Sequence, residues 1–148
     1  MITRFDYAIS EIVALAVLMP IVASMGGNAG TQALTVAVRA LAERELTSQS
    51  AWRAVRRETA AALIIGVIFA MVLALITYLW FGDRQLALVA FIAMLVNHLF
   101  AGLAGIAVPL GLNRAGADPA VSSSVFVTTV TDVVGFFAFL GTAAIILL

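Results

Sequence analysis

The sequence predicts an all-α, polytopic membrane protein with four transmembrane helices. Hydrophobic residues make up 64% of its 148 residues and charged residues only 11%, whereas soluble domains average about 45–50% and about 25%. Three stretches are plainly apolar over the roughly 20 residues that a helix needs to cross a bilayer. A fourth is apolar apart from a short polar, glycine-rich segment. This composition excludes a typical soluble domain, and it also excludes a disordered chain, which would have low hydrophobicity.

The first predicted span covers residues 7–41 and is the least regular of the four. Pro20 interrupts its first apolar run, and the segment Ser24–Gln32 that follows contains three glycines. Because proline lacks a backbone N–H and glycine lowers helix propensity, we expect this helix to be kinked or broken between Pro20 and Gly30. A broken helix would free carbonyl groups to line a water-filled path. Alternatively, Gly26 and Gly30 form a G-x-x-x-G pair that marks close helix packing.

The other predicted spans cover residues 59–81, 86–112 and 120–148, so that residues 1–148 form one membrane domain. Six of the eight arginines fall in or beside the loops at residues 42–58 and 113–119, and cytoplasmic loops carry an excess of basic residues. We therefore expect these loops to be cytoplasmic, both termini to be outside, and the protein to lie in the cell (inner) membrane. The alternating acids and arginines of the first loop are typical of a solvated linker, part of which could continue as a short surface helix.

Asp132 is the most informative polar residue. It lies 12 residues into the last span, near the middle of the bilayer, where an acid costs about 2.5–3.5 kcal/mol on insertion scales. Ser124 and Thr128 precede it at intervals of four residues, and Thr131 and Gly135 lie on or beside the same helical face. No lysine or arginine lies near the middle of a predicted span, so a cation from solution is the natural partner of this carboxylate. The alternative is a protonated Asp132 that hydrogen-bonds to a neighbouring helix.

Other polar residues fall within the first and third spans. Asn28 and Gln32 are four residues apart, on one face of the first helix. Asn97 and His98 lie in the middle of the third span, and His98 is the only histidine of the chain. We expect His98 to make a hydrogen bond between helices, with a role in proton relay as the less favoured alternative.

The oxygen-rich character of these side chains favours a hard cation. Magnesium prefers oxygen ligands and usually keeps several of its waters, whereas zinc prefers histidine and cysteine, and the chain has no cysteine. Asp118, directly before Pro119, adds a carboxylate at the cytoplasmic end of the last span. The same pair is typical of a helix start, with Asp118 as the N-cap and Pro119 at the first helical position.

Three motifs carry a resemblance to a known family. Residues 26–32, Gly-Gly-Asn-Ala-Gly-Thr-Gln, resemble the G-G-N-x-G-x-Q motif of the MgtE family of magnesium channels and transporters. Residues 116–120, Gly-Ala-Asp-Pro-Ala, provide a second match. The third is residues 128–133, Thr-Thr-Val-Thr-Asp-Val, with Gly135 following. Their order and spacing resemble the membrane domain of that family across nearly the whole chain.

The resemblance implies a membrane domain that conducts hydrated Mg²⁺ down its electrochemical gradient, through a pore on the two-fold axis of a homodimer in the lipid bilayer. Mg²⁺ is then the transported ion, and the protein is not an enzyme. The implied ion-site residues are Asp132, which binds the ion, Asp118 near the cytoplasmic mouth, and Thr128, Ser124, Asn28 and Gly27. Many family members carry asparagine, often followed by proline, where this chain has Ser124 and Val125. The resemblance also implies a five-helix domain of which this chain lacks the first helix, and cytoplasmic regulatory domains that it lacks as well.

Two other functions remain open at this stage. A proton- or sodium-coupled carrier would use Asp132 and His98 as relay residues. A non-conducting partial domain would need another chain to complete it. Eight basic residues balance eight acidic ones, so the charge gives no indication of a nucleic-acid partner, and no nucleotide-binding Walker motif is present.

Overall fold

A computed structural model describes residues 13–43 and 48–147 of the chain. The described residues form four helices: α1 (Val13–Ala42), α2 (Ser48–Phe81), α3 (Arg84–Arg114) and α4 (Pro119–Ile146). Each is long and apolar enough to cross a membrane, which confirms the prediction of an all-α, polytopic membrane fold. The first six residues of the first predicted span, and both chain termini, lie outside the described residues.

Helix α1 is continuous, so of the two forms predicted between Pro20 and Gly30, kinked or broken, the broken one is wrong. Every residue of this segment is helical, and Pro20 lies inside the helix on an exposed face. The glycines do not interrupt α1 because both Gly26 and Gly30 are buried against neighbouring helices, and packing of this kind supplies most of the stability of a helix in a protein. The close-packing interpretation of the G-x-x-x-G pair is therefore the one that agrees with the structure.

Helix α2 begins at Ser48, well before the predicted start at residue 59, and absorbs most of the expected linker. Trp52 and Trp80 are highly exposed near its two ends. Their separation of 28 residues corresponds to about 42 Å along a helix, which matches a bilayer of about 40–45 Å including its headgroup regions. Tryptophans collect at these two interfaces, so α2 has the length of a helix that crosses the headgroup layers as well as the hydrocarbon.

Helix α3 is the centre of the bundle and packs against each of the other three helices. Helices α1 and α4 also pack against each other, whereas α2 lies on α3 and touches α1 only lightly. Among the described residues, α2 and α4 are not in contact. The largest fully buried side chains include Leu15, Met94, Ile106 and Phe139. The bundle is thus a compact triangle of α1, α3 and α4, with α2 attached to one side of α3.

Asn97 joins three helices near the middle of α3. Its Nδ2 donates a hydrogen bond to the carbonyl of Val22 in α1 at 2.7 Å, and the side chain is fully buried. Gly26 of α1 and Gly135 of α4 both lie directly against this amide, and a methyl group at either position would collide with it. A buried amide with a backbone partner in another helix fixes the register between the helices.

His98 faces the opposite side of α3, toward α2. Its Nδ1 donates to the carbonyl of Met94 in its own helix at 3.0 Å, and its ring stacks on Phe69 of α2 with centroids 6.2 Å apart. Gly66 of α2 lies against its Cβ. The recorded hydrogen bond of His98 is therefore within α3, and the interhelical bond expected of it is made by Asn97 instead.

Candidate functional site

A row of polar side chains runs along the face of α4 that the other helices leave uncovered. Asp132 and Ser124 are exposed in the single chain and Thr128 is half-buried. Thr131 and Gly135, which the sequence placed on or beside the same face, point into the bundle and are buried. Since four residues rise about 6 Å along a helix, Ser124 lies about 12 Å from Asp132 and is too distant to ligate the same ion directly.

A second polar row runs along α1. Asn28 is exposed, as are Ser24, Thr31 and Thr35 on the same side of the helix. Of the polar residues of α1, only Asn28 and Gln32 were predicted as a pair from the sequence, although the other three were detectable from their intervals of three and four residues. Hydroxyl groups were easy to miss because serine and threonine are common in membrane helices as packing residues.

The two rows meet where α1 crosses α4. A methyl group at Gly27 would lie 3.8 Å from the Oγ1 of Thr131, so the two backbones approach closely there. Asn28 and Asp132 each follow one of these contact residues along its helix, and both are exposed. The fold therefore brings Gly27, Asn28 and Asp132 to the same level of the α1–α4 contact.

The threonine hydroxyls of both rows, and that of the exposed Thr129 beside the row of α4, share one hydrogen-bonding arrangement. Each donates its proton to a carbonyl in the preceding turn of its own helix: Thr31 to Gly27 at 2.8 Å, Thr35 to Thr31 at 2.9 Å, Thr128 to Ser124 at 2.9 Å and Thr129 to Val125 at 2.7 Å. A hydroxyl that donates in this way keeps its lone pairs free to accept. The open faces of α1 and α4 thus present oxygen acceptors, which suit a cation or the waters around it.

Asp118 lies at the start of α4, far from Asp132. Its carboxylate accepts a hydrogen bond from the N–H of Ala120 at 2.9 Å, and Pro119 occupies the first turn, so the predicted N-cap is confirmed. The 14 residues to Asp132 correspond to about 21 Å along the helix. The structure therefore does not bring the two carboxylates together, although both are exposed on the same helix.

Within the described residues, no group of three or more histidine, cysteine, aspartate or glutamate side chains is arranged to hold a metal ion. At the depth of Asp132 the described part of one chain contributes a single carboxylate, together with amide, hydroxyl and carbonyl oxygens. Such a set fits an ion that keeps most of its own waters, because each water needs only an acceptor nearby.

Comparison with known proteins agrees with this architecture. Residues 19–142 match the MgtE family, described as a divalent cation transporter. The chain is 30% identical over 96% of its length to the magnesium transporter MgtE of Bacillus subtilis, and 33% identical over 97% to that of Thermus thermophilus. The match to the magnesium transporter MgtE of Enterococcus faecalis is 31% over 97% of the chain. The chain spans 32% of the length of each of these relatives. Because the family match covers most of the four-helix bundle, the chain belongs to the MgtE family of divalent cation transporters.

Proposed function

We propose that this chain is the ion-conducting membrane domain of a magnesium transporter, in which hydrated Mg²⁺ passes along the polar rows of α1 and α4. The relatives that it matches are named magnesium transporters, and the polar face of the bundle supplies the chemistry that such a passage needs. The arginine-rich end of the bundle is the cytoplasmic end in this proposal, in accord with the distribution of basic residues, and the protein lies in the cell membrane.

The observation that carries the proposal is the exposure of Asp132 on a membrane-spanning helix. A carboxylate facing lipid is strongly disfavoured, and ionisable residues at this depth almost always face a bundle interior or a water-filled cavity. The face of the single chain that bears Asp132 and Asn28 must therefore be covered by something other than acyl chains. A second copy of the chain covers it in the simplest way, since a two-fold axis alongside α4 places two Asp132 carboxylates across one path.

Two facing carboxylates and the acceptor oxygens around them would hold a divalent cation largely through its water shell. Such binding is strong enough to admit the ion and weak enough to release it, as conduction requires. The membrane potential would then drive Mg²⁺ toward the cytoplasm with about 2.3 kcal/mol per charge for each 100 mV. Oxygen atoms along the path would come from Ser124, Thr128, Gly27 and Asn28. Asp118 would attract cations at the cytoplasmic mouth of the path.

A proton- or sodium-coupled carrier that relays through His98 and Asp132 is less well supported. His98 packs against α2, through Gly66 and Phe69, whereas Asp132 lies on α4. Because α2 and α4 are not in contact within the described residues, the two side chains belong to opposite sides of the bundle. Replacing His98 by glutamine should therefore leave ion flux within about twofold of the parent chain, and a pH-gradient-dependent flux that H98Q abolishes would favour the carrier.

The direct experiment is Mg²⁺ uptake into liposomes that contain the purified chain, read with an internal magnesium-sensitive dye. Asp132→Asn keeps the shape of the side chain and removes its charge, and we expect uptake to fall at least tenfold. Val133→Ala is the matched control, because Val133 is the exposed neighbour of Asp132 on the same helix and its side chain has no oxygen that could bind an ion. Uptake by this variant should equal that of the parent chain.

Equal uptake by Asp132→Asn and the parent chain, with both equally inserted, would contradict the proposed role of Asp132. If the parent chain shows no uptake, the result would favour the remaining alternative, a partial domain that conducts only with a partner chain. That case is tested by adding the remaining two thirds of a full-length relative as a fusion and repeating the Asp132→Asn comparison.

A further inference from the structure

A groove opens between α1 and α2 at the arginine-rich end of the bundle. The two helices are sequence neighbours, yet they touch only lightly, which leaves a volume of about 390 Å³ between them with α3 as its floor. Its upper wall carries Ser50, Arg53, Arg57 and Glu58 of α2. A second volume of about 210 Å³, which shares Glu58 and Val36 with the first, continues the groove deeper along the two helices, where four alanines and the polar Gln32 complete its lining.

The groove combines a charged upper part with an apolar lower part. Below the arginines its walls are formed by small and branched apolar side chains: Val36, Ala37 and Ala40 of α1, Ala54 of α2 and Ile106 of α3. Val36 is exposed and Ala40 and Ala54 are half-buried, so the groove opens on the outer surface of the bundle toward the lipid, whereas Ala37 and Ile106 are buried. A ligand that fits must therefore be polar and charged at one end and hydrocarbon at the other.

The charges of the upper wall specify an anion. Arg53 and Arg57 are four residues apart, so their guanidinium groups share one helix face and repel each other. Glu58 offsets only one of them: its Oε1 lies 3.8 Å from the Nε of Arg57, within ion-pair range but too far for a hydrogen bond. The three groups together leave one positive charge, and the guanidinium donors remain free to bind an oxyanion in the bidentate manner that arginine favours.

We propose that this groove is a binding site for one anionic phospholipid, with its phosphodiester on Arg53 and Arg57 and an acyl chain along the valine, alanine and isoleucine side chains of the walls toward Ala33. A phosphatidylglycerol headgroup carries the single negative charge that the lining leaves uncompensated. Basic pockets between membrane helices on the cytoplasmic side bind anionic headgroups such as that of cardiolipin, and the placement of Arg53 and Arg57 near Trp52 puts them at headgroup depth. The inference does not depend on transport by the chain.

Native mass spectrometry of the purified chain in detergent tests this site. Phosphatidylglycerol and phosphatidylcholine with identical acyl chains are titrated separately, and we expect one phosphatidylglycerol per chain to be retained at much lower concentration than phosphatidylcholine. The double variant Arg53→Gln/Arg57→Gln should weaken phosphatidylglycerol binding about thirtyfold, and each single variant about fivefold. Glycerol 3-phosphate, which offers the phosphate without acyl chains, should not be retained.

Arg56→Gln is the matched control. Arg56 has the same charge on the same helix turn, but it does not line either volume of the groove, so its loss should leave phosphatidylglycerol binding within about twofold. An equal loss in Arg56→Gln would show that general positive charge attracts the lipid, and would overturn the site. Equal retention of phosphatidylcholine, retention of free glycerol 3-phosphate, or no retained lipid because polypeptide fills the groove, would overturn it as well.

Discussion

At the scale of single residues, the bundle depends on positions where a side chain larger than hydrogen does not fit. Gly105 of α3 is the clearest case. A methyl group there would lie 2.5 Å from the Cβ of Ala33 and 2.8 Å from the carbonyl oxygen of Gly30, both in α1. One of the opposing atoms belongs to the backbone, so rotation of a side chain cannot relieve the clash and the two helices would have to separate.

We predict that Gly105→Ala lowers the stability of the purified chain by about 1–3 kcal/mol, the range for overpacking of a tight interior. The measurement is the midpoint of thermal unfolding in detergent, followed by circular dichroism. Gly111→Ala on the same helix is the control, because nothing lies within 4 Å of the added methyl group. There alanine should gain up to about 1 kcal/mol of helix propensity, and a lower midpoint for Gly111→Ala than for Gly105→Ala would contradict the packing argument.

At the scale of the element, the residue that caps the start of α4 has two separable properties. Asp118 caps the helix through its hydrogen bond to Ala120, and it also carries a negative charge at the proposed mouth of the ion path. Asparagine caps about as well as aspartate but is neutral. The pair of variants Asp118→Asn and Asp118→Ala therefore distinguishes capping from electrostatic attraction.

We expect Asp118→Ala to lower the unfolding midpoint by the equivalent of about 0.5–2 kcal/mol, and Asp118→Asn to leave it nearly unchanged. In liposomes at low ionic strength, both variants should reduce Mg²⁺ uptake roughly twofold or more, because each removes the charge that concentrates cations at the mouth. Full uptake by Asp118→Asn would leave Asp118 with the role of a cap alone.

At the scale of the whole molecule, the uncovered face of α4 predicts how two copies meet. Val125 lies two turns before Asp132 on nearly the same side of the helix and is 66% exposed. The chain has no cysteine, so one introduced thiol per chain gives an unambiguous cross-link. Val125→Cys should form a covalent dimer with a short bismaleimide reagent in membranes. Ile68→Cys is the control, because Ile68 is also exposed, at 52%, but lies on α2. It should remain monomeric; the reverse pattern would place the two-fold axis beside α2.

Particular residues show what the sequence could and could not predict. The spans follow from composition, and the cap at Asp118 from the local Asp-Pro pair, because both are properties of neighbouring residues. The continuity of α1 was missed because Gly26 is held in the helix by packing against Asn97. That contact joins residues about 70 positions apart in the chain, so the local sequence does not show it. The early start of α2 was missed because arginines suggest a loop, yet their long stems can follow a helix through the headgroup layer. The ion-site assignment of Asp132 stays a prediction.

The hydroxyl arrangement along α1 and α4 has a consequence for water as well as for ions. The hydroxyls of four threonines, Thr31, Thr35, Thr128 and Thr129, donate to backbone carbonyls. A water molecule beside such a hydroxyl would therefore donate a hydrogen bond to it, with its hydrogens toward the helix surface that forms the wall of the path and its oxygen away from it. A cation imposes the same orientation on its own hydration shell. Proton hopping instead requires each molecule in a file to accept from one neighbour and donate to the next, and a wall of this kind interrupts that sequence. The path would thus carry hydrated metal ions while conducting protons poorly.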